Sequence, residues 1–164
     1  MKTFFLISCL AFLITISGCK KSSAVIEVPK DVQMARMKAD FSWLNGTDWV
    51  LKDYAANPLP AKLKNTLTLK FKKQSDTSYQ ISGRSFVNWY GGAFNLDEEK
   101  GLVVNKEHLV TTEMAGPPES MKAEETYYQH LQKASYFKIE GNELWLYIGS
   151  NTNAAEEVMY FTKK

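Results

Sequence analysis

From Phe41 onward the chain is written mostly in a two-residue rhythm. Leu67, Leu69 and Phe71 alternate with Thr66, Thr68, Lys70 and Lys72, which predicts a strand with one buried and one wet face. Upstream, Trp43 to Leu51 reads as a turn at Asn45-Gly46 followed by an aromatic-rich strand, which ends in the proline-bearing stretch Asn57 to Pro60. Tyr79 and Ile81 carry the alternation on to Gly83. Between Arg84 and Gly92 it lapses, and this segment is expected to be irregular, with Gly91 and Gly92 permitting a positive φ, a bulge or a close backbone approach. Phe94 and Leu96 resume a strand that stops at the charged turn from Asp97 to Gly101. Leu102 to Asn105 and Leu109 to Glu113 supply the next strands.

The rhythm then changes once. Gly116-Pro117-Pro118 breaks the chain, and a helix is predicted to about Lys133. Either proline suits the first turn, and Glu119 is placed to favour the helix dipole. Met121, Tyr128 and Leu131 can share a buried face, with Lys122, Glu125, Gln129 and Gln132 outward. Phe137 and Ile139 precede a hairpin turn at Gly141-Asn142, after which Leu144, Leu146 and Ile148 share one face and Trp145 and Tyr147 the other. Both faces of that strand should therefore be covered, one of them by the helix. Val158 to Thr162 is the last strand. A lone helix among antiparallel strands must cover one face or end of a sheet, so the class is mainly β with one helix.

The first 40 residues follow a different rule. Lys2, the apolar run Phe4 to Ile16 and the small residues Ser17-Gly18 form a signal peptide over 1–18, too short to span a bilayer. Ile16-Ser17-Gly18-Cys19 resembles a bacterial lipobox, so Cys19 is expected to carry the lipid that anchors the mature protein. Residues 19–40 read as the lipidated cysteine and a tether, with one short helix after Asp31, and 41–164 as a single domain. The chain has two cysteines, and Cys9 leaves with the signal while Cys19 is acylated, so the body must fold without disulfides. No aspartate follows Cys19 and no acidic cluster lies beyond it, which favours the outer membrane with the body in the periplasm. A formal charge of +2 gives no electrostatic case for nucleic acid.

The order of motifs in the body resembles the META domain, the family of the heat-shock protein HslJ. Gly46-Thr47-Asp48-Trp49 is similar to the family's opening strand. Gly83, Asn88 and Gly92-Ala93-Phe94 partly match its glycine-rich middle segment, and Thr112-Glu113-Met114-Ala115 with Met121, Tyr128 and Leu131 matches the strand end that leads into its helix. The final pair of strands, around Tyr136 to Ile148, also agrees. Val87 and Gly116 stand where family members often have cysteines. The resemblance implies a compact antiparallel β-barrel with a single α-helix packed across it and a link to envelope stress. It brings no catalytic residues.

Candidate chemistry is sparse. His108 and His130 lack the partners of a zinc or hydrolase site and read as a residue at the start of a strand and a helix-surface residue. Asp97-Glu98-Glu99 reads as a solvated turn rather than a calcium loop, and Glu113, Glu119 and Glu124 as capping or surface residues rather than an acid/base pair. No nucleophile elbow or phosphate loop is present. The expectation is a non-enzymatic envelope lipoprotein with no catalytic residues, no metal and no cofactor, acting as a monomeric, stress-related interaction module with an envelope protein as partner. The alternatives are a small carrier of a lipid or other apolar ligand with a hollow barrel, or a pilotin-like chaperone of a membrane complex. Trp43, Trp49, Trp89 and Trp145 are expected mainly in cores. Trp89, with Asn88 and Tyr90, is the predicted ligand or partner surface, because it sits in the glycine-flanked irregular stretch.

Overall fold

The computed structural model describes residues 26–27, 43–75, 79–97, 101–104, 106–149 and 154–164. The signal peptide, Cys19, the helix after Asp31 and most of the charged turn after Asp97 lie outside the described residues.

The strands are β1 (Ile26–Glu27), β2 (Thr47–Tyr54), β3 (Thr68–Lys73), β4 (Tyr79–Arg84), β5 (Trp89–Asp97), β6 (Gly101–Val104), β7 (Val110–Thr111), β8 (Ala134–Glu140), β9 (Glu143–Ile148), β10 (Ala154–Ala155) and β11 (Glu157–Lys163), with one α-helix, α1 (Pro118–Lys133). The main sheet runs β6-β5-β4-β3-β2-β11-β9-β8, with β7 beside β5, and every pairing is antiparallel. It curls until its ends, β6 and β8, bring Cα atoms within 8 Å of each other, although no ladder joins them. The result is a barrel that is closed by packing rather than by hydrogen bonds at one seam. Helix α1 packs against β6 and β9 near that seam.

The alternation decides which side chains fill the barrel. Leu67, Leu69 and Phe71 are at most 2% exposed, whereas Lys70 and Lys72 face water. Trp49, Leu51, Phe94, Tyr127, Leu144 and Phe161 join them in one contiguous core. At the β8–β9 hairpin, Gly141 has φ +58° and occupies the first central position, where a type II′ turn requires it. Glycine at 83 answers a different demand. A Cβ there would lie 2.0 Å from the Thr68 carbonyl oxygen, so β3 and β4 close on each other only without a side chain.

Three expectations need correction. The irregular stretch is only 85–88, because β5 begins at Trp89 and runs through both glycines in extended backbone. The strand expected from Leu109 to Glu113 shrinks to Val110–Thr111. In α1, Met121 is exposed, and the fully buried positions are Glu124, Tyr127 and Leu131. Helix phase is set by what the 85–88 turn offers, a set of polar donors that a methionine cannot satisfy.

The outward aromatics of β9 are covered, but not by the helix. Tyr147 joins Tyr136, Ala155 and Val158 in a second cluster, against which Ile26, Trp145 and Tyr160 pack. The cover is a two-stranded ribbon in which β1 pairs with β10, Ile26 opposite Ala155. Part of the expected tether is thus a strand of the body.

Candidate functional site

Asn88 and Glu124 form the polar junction of the fold. The Asn88 side-chain oxygen accepts from the Thr112 hydroxyl at 2.8 Å and the Met114 N–H at 2.7 Å, while its nitrogen donates to Glu124 Oε1 at 2.6 Å and to the Met114 carbonyl at 3.3 Å. Glu124 Oε2 accepts from the backbone N–H groups of Val87 and Asn88, at 2.9 and 2.8 Å, and from the Ser85 hydroxyl. One side chain of the turn and one of the helix therefore tie together β5, the segment after β7 and α1. Ser85, Asn88 and Glu124 are all at most 4% exposed.

Burial alone would raise the Glu124 pKa. The bonds from Ser85, Asn88 and the Val87 N–H outweigh it, so the carboxyl is held below its ordinary value of 4.5. An ionised carboxylate saturated with donors is a poor proton acceptor, and Ser85 beside it is out of reach of a substrate. Chemically, the junction is a latch. Glu124 was expected as a capping or surface residue; its burial is legible only once the orphan donors of the 85–88 turn are seen.

Tyr90 lies beneath. Its hydroxyl donates to the Thr68 carbonyl at 2.8 Å and meets the Tyr127 hydroxyl at 2.6 Å, and burial raises its pKa. Of the three residues expected to form a ligand or partner surface, Asn88 and Tyr90 are thus interior, and Trp89, 56% exposed, faces out. For Tyr90 the reason is strand parity, since neighbours on β5 point to opposite faces; Asn88 precedes the strand and is held inward by its bonds to Glu124, Thr112 and Met114.

Trp89 stands at one end of a trough of about 590 Å³ on the outer wall of β4, β5 and β7. Register explains its shape. Arg84 pairs with Trp89, Ser82 with Gly91 and Gln80 with Ala93, while Val110 pairs with Gly91 from the other side. The centre row, Gly91 and Ala93, is low, and the flanking rows rise as walls. Val110 is 70% exposed, and the Arg84 guanidinium lies 6.0 Å from the Trp89 ring centre. The alternation Trp-x-Gly-x-Ala over 89–93 was a usable signal for this trough, had β5 been read as a strand.

The histidines part company. His108 is exposed in a short 3-10 turn before β7. His130 is half-buried rather than on the helix surface, edge-on to the Tyr54 ring with centroids 5.2 Å apart. Burial lowers its pKa, with Lys133 adding to the shift and Glu157 and Glu156 opposing it. Among the described residues, no group of three or more His, Cys, Asp or Glu side chains is placed to hold a metal ion.

Val87 and Gly116, at which the resemblance implied cysteines in related sequences, touch. A Cβ on Gly116 would lie 3.4 Å from the Val87 Cβ and 2.6 Å from its Cγ2, so the valine fills the space that a larger residue at 116 would need. The Cβ separation is close to disulfide geometry. The double variant V87C/G116C is expected to oxidise to an intramolecular disulfide and to gain about 3.6 kcal/mol from closing a loop of this length. Mass spectrometry and urea melts with and without reductant would check it; a reduced pair under air oxidation would contradict the contact.

A family model, the META domain, matches residues 42–164. Among solved structures, the chain is similar to a DUF4847 family protein from Bacteroides vulgatus, at 11% identity and a TM-score of 0.52 over 74% of this chain and 95% of that one. It is also similar to a protein determined by NMR, at 19% identity and a TM-score of 0.50 over 74% and 92%. At these identities the likeness is one of fold. No curated protein matches the sequence. The family match spans the barrel, the Asn88–Glu124 latch and the Trp89 trough together, and the chain belongs to the META domain family.

Proposed function

We propose that this META-domain protein is a non-enzymatic lipoprotein of the cell envelope, anchored to the outer membrane through Cys19, whose body binds a protein partner at the Trp89 trough. The observation that carries this reading is where the space lies. The barrel interior is filled by Trp49, Leu69, Phe71, Phe94 and Tyr127, whereas the trough is open on the outer wall. A carrier with a hollow barrel needs an enclosed apolar cavity of a few hundred Å³, and this core works against it. An exposed tryptophan and valine beside a low floor suit an extended segment that inserts an apolar side chain. A role in envelope stress follows the family resemblance.

Gly91 gives the cleanest test. A Cβ there meets only the Ile81 carbonyl oxygen, at 3.9 Å, and its φ is not positive, so Gly91→Val fills the floor without straining β5. A photo-cross-linker at Val110 in the full-length protein is expected to give a discrete envelope-protein adduct. That adduct should be lost in Gly91→Val, and in Trp89→Ala the affinity should fall by about 30-fold, as for a tryptophan hot spot. Unchanged adducts in both variants would refute the trough as the contact surface.

A further inference from the structure

The β1–β10 ribbon and the trough sit on opposite walls of the barrel. From β5, which floors the trough, the sheet passes through β4, β3 and β2 before reaching β11, half of the way around eight strands. The ribbon of β1 and β10 packs on the outside of that far wall, where Ile26 lies against the cluster of Tyr136, Tyr147 and Val158. Across a barrel of this strand number the two walls stand about 15 Å apart, Cα to Cα.

The pairing of β1 also shortens the leash. If the chain were free until Trp43, the reach from Cys19 would be about 80 Å. Because Ile26 is already pinned to Ala155, only residues 20–25 intervene, and the greatest span from Cys19 to the body is about 25 Å. That is comparable with the barrel's own width including side chains. A body on so short a leash, held by one wall, can turn its opposite wall to the bilayer only by drawing the leash out to its full length, at the expense of nearly all of its conformational freedom.

We infer that the β1–β10 ribbon is an orienting clamp, which holds the β9–β11 wall toward the lipid surface and presents the Trp89 trough to the aqueous compartment. The inference rests on the reading of Cys19 as the lipidated residue, and it sets the partner class: a protein on the water side, not a lipid drawn from the anchoring membrane.

The mature lipoprotein would carry no other thiol, so single cysteines label cleanly. Glu156, exposed beside the ribbon, and Ser82, exposed on the trough wall, are suitable sites. Glu156→Cys and Ser82→Cys would be made in the full chain, purified lipidated, labelled with a fluorophore and reconstituted into phosphatidylethanolamine–phosphatidylglycerol vesicles doped with a headgroup nitroxide quencher. The Glu156 label is expected to be quenched several-fold more than the Ser82 label. A flexible Gly-Ser insert between Ser23 and Ala24 should erase the difference, and so should Ile26→Pro, which removes the β1 contact while leaving the main sheet intact. Equal quenching in the parent protein, or a difference that survives the insert, overturns the clamp. Palmitate labelling of the parent and of Cys19→Ala separates the two readings: an unlabelled parent sinks the lipid anchor itself, whereas a labelled parent with equal quenching sinks only the clamp.

Discussion

Leu69→Asp is expected to leave no cooperatively folded protein at 25 °C. Leu69 is fully buried on β3, opposite Trp49 on β2 and within the core that includes Phe71 and Ile81. The substitution forfeits the burial of a leucine, about 2–3 kcal/mol, and adds a carboxylate with no buried partner, worth several kcal/mol more even after the group protonates. The sum reaches the total stability of an ordinary domain, about 5–15 kcal/mol. Far-ultraviolet circular dichroism and a urea melt would show it directly. Lys72→Ala, on the wet face of the same strand, is the matched control and should melt within about 0.5 kcal/mol of the parent. A cooperative transition for the aspartate variant would mean that the register of β3 is wrong by one residue.

Glu124→Ala should cost about 3–5 kcal/mol, because it leaves two buried backbone N–H groups and one hydrogen of the Asn88 amide without an acceptor. Glu124→Gln keeps an oxygen for the Val87 and Asn88 N–H groups but turns an NH2 toward the Asn88 side-chain NH2, and should recover only part of the loss. The same residue predicts a pH dependence. Its folded pKa lies below the ordinary 4.5, so the unfolded chain binds the proton more readily. The stabilisation is complete above about 4.5 and is lost as the pH falls through the lower folded value. His130 has the same sign at a higher pH: its imidazole is held below 6.5 by burial, so acidification below about 6.5 already favours the unfolded chain, which accepts that proton more easily. Acid melts of the parent should therefore weaken in two stages. Glu124→Ala should shrink the lower stage, which Asp53 shares because its carboxyl too is held below its ordinary value, and leave the upper one. A parent whose stability is flat between neutral pH and pH 3 would contradict both environments.

These two sites mark how far the sequence could be read. Strand β3 was legible because one face of it meets water: Leu67, Leu69 and Phe71 against Thr68, Lys70 and Lys72 report their own orientation. The proline start of α1, the Gly141 hairpin and the closing strand were legible for the same kind of local reason, since backbone conformation there is set by the residues themselves. The phase of α1 was not. Met121 looked like a core residue and Glu124 like a surface one, and the choice was reversed by a turn some 37 residues away in sequence whose N–H groups needed an acceptor. Trp89, set apart from the core tryptophans as a ligand or partner residue, faces out, while Tyr90 turns inward with the parity of β5 and Asn88 is drawn in by Glu124, Thr112 and Met114.

By itself, then, the amino-acid order determined the class of the fold, the positions of most strands, the single helix and the family resemblance, because alternation, turn chemistry and helix-start residues act within a few neighbours. Tertiary structure alone decided that the sheet curls until β6 meets β8, that Val87 packs onto Gly116, that Glu124 latches the 85–88 turn, and that β1 crosses from the tether to cover the far wall. Each of these is a long-range pairing between residues with no local preference for one another. Their partners are selected by the shape and the unsatisfied hydrogen bonds that the rest of the barrel leaves exposed.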